Sequence, residues 1–354
     1  MIDGFVNDQV MQYLIQQGGL DDQYQLMDNV SRAMGTGSEF SRYQDIFYGL
    51  NATPNMAPLP THRELQGLVL FTRPNLNLSY DNIAPVRHLA HLLVQDPLTY
   101  QYAVRMMLDP TTYQGAKVSP LVDKNNPYIT LLTNTLISMS NPPDIGIHLY
   151  QSPEGMAKEV WIMNDSISDY NGYFDLTMTF NNIKGNAVLL AIHSWIIYMG
   201  ALRVGPCIPH YLNRYRNEMD YFTRIERFKF DHTGRKIEQW FHTGAAVPTN
   251  ISIGAGFGFN REEALEMENK QISVQFGCVG AVYNDPIQLY EFNMRMQMSN
   301  PRLADSVRNA NYIKVDRRLL PAVNYRAYPM INLSTNEMDW YVDKDLYPIL
   351  TKGL

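Results

Sequence analysis

A glycine-rich stretch at residues 254–258 has a composition that could hold a phosphate group. It reads Gly254-Ala255-Gly256-Phe257-Gly258. A dinucleotide loop needs the spacing GxGxxG between a strand and a helix, and a P-loop ends in GKS or GKT. The spacing here is GxGxG, and no GKS or GKT follows a glycine-rich loop. We therefore interpret the stretch as an extended strand whose bare face allows another backbone to approach.

Histidine and cysteine side chains could bind a metal or act as nucleophiles. His88 and His91 stand one helical turn apart, but no third donor follows at a ligand spacing. Cys207 and Cys278 are the only cysteines, which excludes a CxxC motif and gives no sign of a disulfide framework. Neither GxSxG nor HExxH is present. The sequence therefore predicts no catalytic residue, no metal site, no cofactor and no enzymatic activity.

Basic and aromatic residues alternate between Asn213 and Asp231, a pattern that can stack on single-stranded nucleic acid. Acidic residues of the same segment, among them Glu218, Asp220 and Glu226, offset this positive charge. We interpret the segment as an ion-pairing strand face at a subunit contact. The formal net charge of −6 over 354 residues also disfavours electrostatic binding of nucleic acid.

The first part of the chain is predicted to be mainly helical. Short helical patterns occupy residues 1–60, and the run Leu68–Phe71 is predicted to be a buried strand that ends at Pro74. Apolar spacing then predicts two helices within residues 81–110, ended by Pro97 and Pro110, and a third helix from Tyr128 that is ended by Pro142 and Pro143.

The pattern changes near residue 150. The segment FDLTMTF alternates apolar and polar residues, as a half-buried strand does, and a helix with Trp195 on its apolar face follows. Three further strands complete a β–α–β–β–β order, and a helix begins after Pro286. The fold class is therefore α+β, an antiparallel sandwich or barrel with one packed helix. The expected domains are residues 1–150, 151–288 and 289–354, the last of them largely irregular.

The most apolar window, residues 186–202, is interrupted by His193 and Ser194. It is shorter than the roughly 20 apolar residues of a membrane span, so it is predicted to be a buried helix, and no membrane partner is expected. The N-terminus lacks the basic and apolar regions of a signal peptide. Assembly in a reducing cytoplasm is the simplest interpretation.

The order of elements from Asp175 to Pro286 resembles the tail-tube fold of contractile-tailed bacteriophages. The resemblance is carried by LTMTF, by Trp195 in its helix, by RIERFKFDHTGRKIEQWFHTG, by a corner in GAAVPTNIS, by ISIGAGFGFNREE and by ISVQFGCVGAVYNDP. The stretches LFTRPNLNL and GAVYNDPIQLYEFN are similar to virion structural proteins of large tailed phages.

This resemblance implies a ring of six subunits, whose sheets join edge to edge around a lumen. Apolar side chains would pack on the subunit's own helix, and polar ones would line a channel that DNA passes without binding. The implied partners are other tail tube, baseplate or neck proteins, in a virion tail assembled in the host cytoplasm. The residues expected to serve folding or assembly are Trp195, Gly244, Pro248, Gly254, Gly256, Ile272, Val274, Phe276, Asp285 and Pro286, with Ile272 and Val274 at a lateral contact.

The chain departs from a simple tube protein because long segments precede and follow the tube-like region. Extra parts of this size resemble tube initiators or adaptors, which sit at one end of the tube. Two alternatives stay open: a main tail tube protein with extra domains, and a baseplate or neck protein that does not line the tube.

Overall fold

The computed structural model describes residues 66–110, 118–167, 172–216, 218–231, 234–254, 271–323 and 325–348. Glu64–Leu354 forms one compact unit. The helices expected within residues 1–60 lie outside the described residues, as do Gly256 and most of the glycine-rich stretch.

The described residues form eleven strands and seven α-helices. The strands are β1 (Gln66–Phe71), β2 (Leu136–Ser140), β3 (Ile147–Gln151), β4 (Ile162–Ile167), β5 (Tyr173–Asn181), β6 (Ile225–Phe230), β7 (Ile237–Ile251), β8 (Gln271–Tyr283), β9 (Tyr312–Val315), β10 (Tyr328–Asn332) and β11 (Glu337–Asp343). The helices are α1 (Tyr80–Ile83), α2 (Tyr100–Leu108), α3 (Thr130–Thr135), α4 (Ala187–Val204), α5 (Tyr211–Arg216), α6 (Pro286–Ser299) and α7 (Arg308–Asn311). Short 3₁₀ helices include Arg87–Leu93.

Six strands form one antiparallel sheet in the order β1-β6-β7-β8-β5-β2, and this sheet is strongly curled. Three strands separate β1 from β5, so a flat sheet would hold them about 19 Å apart. Yet the ring of Phe71 on β1 lies 6.0 Å from that of Phe180 on β5 and 5.8 Å from that of Phe276 on β8. The Ile129 amide donates to the Phe71 carbonyl at 2.8 Å, and α3 packs against β1 and β5. The sheet is therefore a nearly closed barrel, with α3 across the gap.

The inner core lies on the concave side of this sheet and is built around α4. Val188, Ile192, Trp195 and Tyr198 are fully buried there. By length and composition α4 is apolar enough to cross a membrane, and its apolar residues instead pack against the sheet, as the sequence predicted. The alternating residues of β5 and β8 complete this core: Leu176, Met178, Phe180, Ile272, Val274, Phe276 and Cys278.

A second core lies on the convex side, over β1, β6 and β7. There α6 and a three-stranded antiparallel sheet, in the order β10-β11-β9, cover the apolar side chains of the barrel. Phe292 of α6 contacts Phe228 edge-on at 5.4 Å and stacks on Tyr128 at 5.6 Å. The alternate residues of β6 thus serve both cores, because Ile225 points inward and Phe228 and Phe230 point outward.

The α+β class and the antiparallel sheet with its packed helix are confirmed, and three local predictions are wrong. The helix expected from Tyr128 to Pro142 covers only Thr130–Thr135, and the chain then continues as strand β2. The expected corner at Gly244–Thr249 is part of the unbroken strand β7, with a bulge between Pro248 and Asn250. The C-terminal stretch is not irregular, since it contains β9, β10 and β11. The sheet takes β1 and β2 from residues before 151, and the domain boundaries stay a prediction.

Candidate functional site

One face of the curled sheet carries only uncharged polar side chains over two rows. The strand register aligns Asn250, Gln275, Thr177 and Ser140 in one row, and Ser273, Thr179 and Ser138 in the next. These residues alternate with the buried residues of the inner core and are exposed or half-buried. We call these seven residues the polar face: Ser138, Ser140, Thr177, Thr179, Asn250, Ser273 and Gln275.

The nearest charged side chain of β5 stands in the adjoining row of the register. There Asp175 lies opposite Gly277 and accepts a hydrogen bond of 2.5 Å from the Tyr173 hydroxyl, which raises the pKa of that phenol. Gly277 leaves room for this pair, because a Cβ at its position would stand 2.9 Å from the Tyr173 hydroxyl and from the Thr249 methyl group. The polar face can therefore offer weak hydrogen bonds to water, but no charge.

Two glycines let β7 and β8 approach closely where residues 243–245 pair with residues 279–281. A Cβ on Gly244 would lie 3.0 Å from the Val279 carbonyl oxygen, and Gly280 adopts a φ of 71° that favours glycine. The close approach that we expected from residues 254–258 is therefore found at Gly244, a predicted residue, and at Gly280, which the sequence analysis missed. The described Gly254 lies three residues beyond β7, with open space where a Cβ would be.

The other predicted residues serve the fold rather than an exposed site. Trp195 is fully buried, and its indole donates to the Tyr221 carbonyl at 2.9 Å. Ile272, Val274 and Phe276 are buried on β8, which is paired with β7 on one side and β5 on the other. They hold the sheet on α4. We expected Ile272 and Val274 at a lateral contact between subunits, but both side chains point into the inner core.

Asp285 and Pro286 begin helix α6. The Asp285 carboxylate accepts from the Ile287 amide at 3.0 Å, and Pro286 takes the first helical position, where a missing amide costs nothing. Pro248 lies at the bulge of β7. These residues set the geometry of the elements around the sheet.

A buried ionic cluster ties α6 to β6. Glu226 is 4% exposed and receives a hydrogen bond from the Tyr128 hydroxyl at 2.9 Å and an ion pair from Arg295. Arg224 bridges Glu226 and Glu291 at 3.7 and 2.6 Å. Burial and the Glu226 charge raise the pKa of Tyr128. Burial alone would lower the pKa of Arg295, but Glu226 beside it raises that pKa above its ordinary value.

A second buried polar cluster connects the end of α4 to the segment after α5. The Tyr198 hydroxyl donates to Asp220 at 2.5 Å, and burial raises the pKa of both groups. His210 pairs with the buried Asp109 at 3.3 Å; this hydrogen bond raises the pKa of the imidazole. Both clusters rigidify the barrel and turn their acidic groups inward. Asp220 therefore does not offset the basic side chains of its segment as we expected from the sequence, whereas Glu226 does pair with Arg224 of that segment.

The histidine and cysteine residues form no metal site among the described residues. His91 bonds to the Ser194 hydroxyl at 3.0 Å, and burial lowers the pKa of this histidine. Burial raises the pKa of the Cys278 thiol to about 12, which fits a packing role.

A hairpin formed by β3 and β4 projects with apolar side chains on its surface. We call residues 144–165 the arm; all of them except the half-buried Ser152 are exposed. Its exposed large apolar residues are Ile145, Ile147, Leu149, Tyr150, Met156, Val160, Trp161, Ile162 and Met163. The arm was not predicted from the sequence, because neither of its faces is buried and a regular alternation of apolar and polar residues is not required.

A second apolar surface lies where α4 ends and α5 follows. We call residues 203–222 the corner; this surface is separate from the corner that was expected at Gly244–Thr249, and the name refers only to residues 203–222 from here on. Its exposed large apolar residues are Val204, Ile208, Tyr211, Leu212, Tyr215, Met219 and Phe222. Arg203, Arg214 and Arg216 are exposed among them.

Comparison with known proteins gives one family. The family model described as "Putative phage tail tube protein" matches residues 14–354. A search of curated proteins finds no significant match.

Three solved structures show a distant likeness. The anti-feeding prophage cap, a tube-terminating cap, is 12% identical with a TM-score of 0.29, over 46% of this chain and 85% of that one. The sheath/tube terminator of the extracellular contractile injection system PVC is 8% identical with a TM-score of 0.25, over 42% and 85%. The PVC sheath–tube complex is 10% identical with a TM-score of 0.26, over 45% and 83%. TM-scores this low carry no argument about the role of the chain.

Proposed function

The chain belongs to the phage tail tube protein family, and from this premise we propose that it forms a ring around a DNA-conducting lumen. The family makes it a structural protein of the virion tail. The observation that carries the proposal is the polar face. One of its rows has four residues, on β7, β8, β5 and β2, the other has three, on β8, β5 and β2, and none of the seven is charged.

An uncharged polar face suits a wall along which DNA must move. Double-stranded DNA carries one negative charge per about 1.7 Å of its axis, so lysine or arginine on the wall would hold it. Hydroxyl and amide groups are hydrated and bind phosphate weakly by comparison. We therefore place the polar face toward the lumen, with α4 behind the sheet.

The open edges of the sheet support a lateral contact between copies. Among the described strands, β1 and β2 end the sheet, and β2 is a five-residue strand whose Ile137 is 48% exposed at a bulge. An open edge is a liability in a monomer, because it offers unpaired backbone groups to any other chain. Closing a ring of copies removes these edges, and the ring size we propose is six.

The position that we propose is an end of the tube, as an initiator or adaptor. The elements outside the barrel support this position: α6 and the β9–β11 sheet cover the outer side of β1, β6 and the start of β7, and further residues precede β1. A main tail tube protein with extra domains, or a baseplate or neck protein, remains the alternative. Counting copies per virion by quantitative mass spectrometry tests the position. A copy number that fills a single ring supports a tube end, whereas a copy number that fills many rings supports the tube body.

The substitution Ile137→Lys tests the lateral contact. Ile137 is half-exposed on the terminal strand, so we expect the variant to fold while the added charge blocks edge pairing. Native mass spectrometry and negative-stain electron microscopy should then show rings of the wild-type protein and monomers of the variant.

Leu121→Lys is the matched control, because Leu121 is 54% exposed outside the strands. This control should assemble as the wild type does. Intact rings of Ile137→Lys would exclude the β2 edge as the join, and absence of rings in the wild-type protein would contradict the proposed ring itself.

A further inference from the structure

The arm has no core of its own. A two-stranded hairpin is marginally stable in water unless it packs against something, and both faces of this one are exposed. Trp161 is 73% exposed, Ile147 61% and Met163 58%. Exposed apolar clusters of this kind mark surfaces that another molecule covers.

The corner has the composition of an interface. Interface centres are enriched in tyrosine, methionine and arginine and depleted in lysine and acidic residues. Tyr215 is 88% exposed and Tyr211 is 74% exposed, one helical turn apart on α5, and the corner contains no lysine. Glu218 is its one exposed acidic residue, and it stands 3.9 Å from Arg216.

The charges of the arm and the corner are opposite. The arm carries Asp144, Glu154, Glu159 and Asp165 against a single Lys158, a formal charge of −3. The corner carries three exposed arginines against Glu218, a formal charge of +2 with the buried Asp220 left out.

We propose that the arm of one copy docks on the corner of a neighbouring copy. The same chain carries both surfaces, so each copy can give an arm and receive one, and such a head-to-tail contact closes into a ring or continues along a stack. Apolar side chains would form the centre of the contact, Arg214 and Arg216 can lie over Trp161 and Tyr150, and the opposite charges select the orientation. This inference rests on the proposed self-assembly and adds a contact separate from the β2 edge.

A charge-swap experiment tests the contact. Glu154→Arg with Asp165→Arg reverses two arm charges, and Arg214→Glu with Arg216→Glu reverses two corner charges. Each reversed variant should associate at least about tenfold more weakly than wild type in sedimentation at low salt. The chain with all four substitutions should recover most of the association, because its arm and corner are complementary again.

Asp81→Arg with Arg87→Glu is the matched control, since both residues are exposed outside the arm and the corner. Its association should equal that of wild type. If the four-substitution chain stays as weak as its parents, the arm docks on a different protein, and the proposal is overturned. Circular dichroism of each variant verifies that it folds.

Cross-linking separates docking between copies from docking within one chain. Lys158→Cys in one preparation and Tyr215→Cys in another are mixed under mild oxidation. The native Cys207 and Cys278 are buried and do not compete. A disulfide-linked dimer from the mixture, absent from either preparation alone, is expected.

The two proposals fail in different ways. Wild-type rings with no mixed dimer and no effect of charge reversal would overturn the arm-to-corner contact and leave the ring standing. A mixed dimer without closed wild-type rings would support the contact and contradict the ring.

Discussion

His242 on β7 is a buried histidine whose pKa lies far from its ordinary value. It is 8% exposed, and burial together with the Arg224 charge lowers its pKa to about 4. In the unfolded chain a histidine has a pKa near 6.5. Between pH 6.5 and 4, His242 is therefore mostly protonated in the unfolded chain and mostly neutral in the folded protein.

We expect His242 to make the protein less stable as the pH falls through this window. The unfolded state binds more protons there, so the free energy of unfolding decreases toward acid, by about 3 kcal/mol at pH 4 relative to pH 7. His242→Gln should remove this part of the pH dependence. Urea unfolding of wild type and variant at several values between pH 7 and 4 measures the difference.

The matched control is His148→Gln, because His148 is exposed on the arm. Its unfolding free energy should follow that of wild type over the same range. If the free energy of unfolding changes equally with pH for His242→Gln and wild type, the buried imidazole binds its proton at the same pH in the folded and unfolded states, and the prediction is wrong.

At the scale of elements, helix α6 is held on β6 by both apolar packing and the Glu226–Arg295 pair. Glu226→Gln keeps the shape of the side chain but leaves Arg295 partly buried without its counter-charge. Removing one member of a buried pair is costly, so we expect a loss of about 3 kcal/mol in the free energy of unfolding.

Adding Arg295→Met to Glu226→Gln should restore part of this loss, because the uncompensated charge is gone. The exposed pair Arg216–Glu218, at 3.9 Å, is the control, and Glu218→Gln should cost less than about 1 kcal/mol. Denaturant titration of wild type, Glu226→Gln, Arg295→Met and the double variant gives the coupling energy. A double variant less stable than both single variants would contradict a net electrostatic cost.

How far the sequence predicts these elements depends on whether one of their faces is buried. The strands β5 and β8 alternate Met178 with Thr179 and Val274 with Gln275, and helix α4 is almost entirely apolar, so all three were predicted. The arm could not be predicted by the same signal because no face of it is buried within the chain. For α3 and β2, the six-residue helix passes directly into the strand, and the run TLISMS fits either structure.

The sequence predicted that a polar face exists, but it did not predict all the residues that form it. The alternation on β5 and β8 predicts a polar face opposite the core, which the register then extends across β2 and β7. Which acidic residues reach the surface depends on the tertiary fold, because the partners of the buried Asp220 and Glu226 include Tyr198 and Arg295, which are distant in the sequence.

At the scale of the whole molecule, the charge distribution would separate the wall of the lumen from the contacts between copies in the ring that we propose. The chain is net acidic, and its exposed basic side chains at the corner are available to the acidic arm. The polar face contributes to neither sign. An assembly built in this way directs charge to subunit contacts, where it selects partners, and keeps it away from the DNA.

Adding positive charge to the polar face should therefore slow the movement of DNA without preventing assembly. Ser273 and Gln275 are exposed and lie two residues apart on β8, so Ser273→Lys with Gln275→Lys places both charges on the same face. Purified phage carrying this variant should release DNA more slowly on triggering, most strongly at low salt, because each added lysine binds phosphate in exchange for counterions. Fluorescent dye binding to the ejected DNA measures the rate. Ile287→Lys with Tyr290→Lys on the exposed side of α6 adds the same charge over β1 and β6, away from the polar face, and should leave the rate unchanged. If the α6 variant slows release while the β8 variant does not, α6 lines the lumen instead of the polar face, and the orientation of the ring that we propose is wrong.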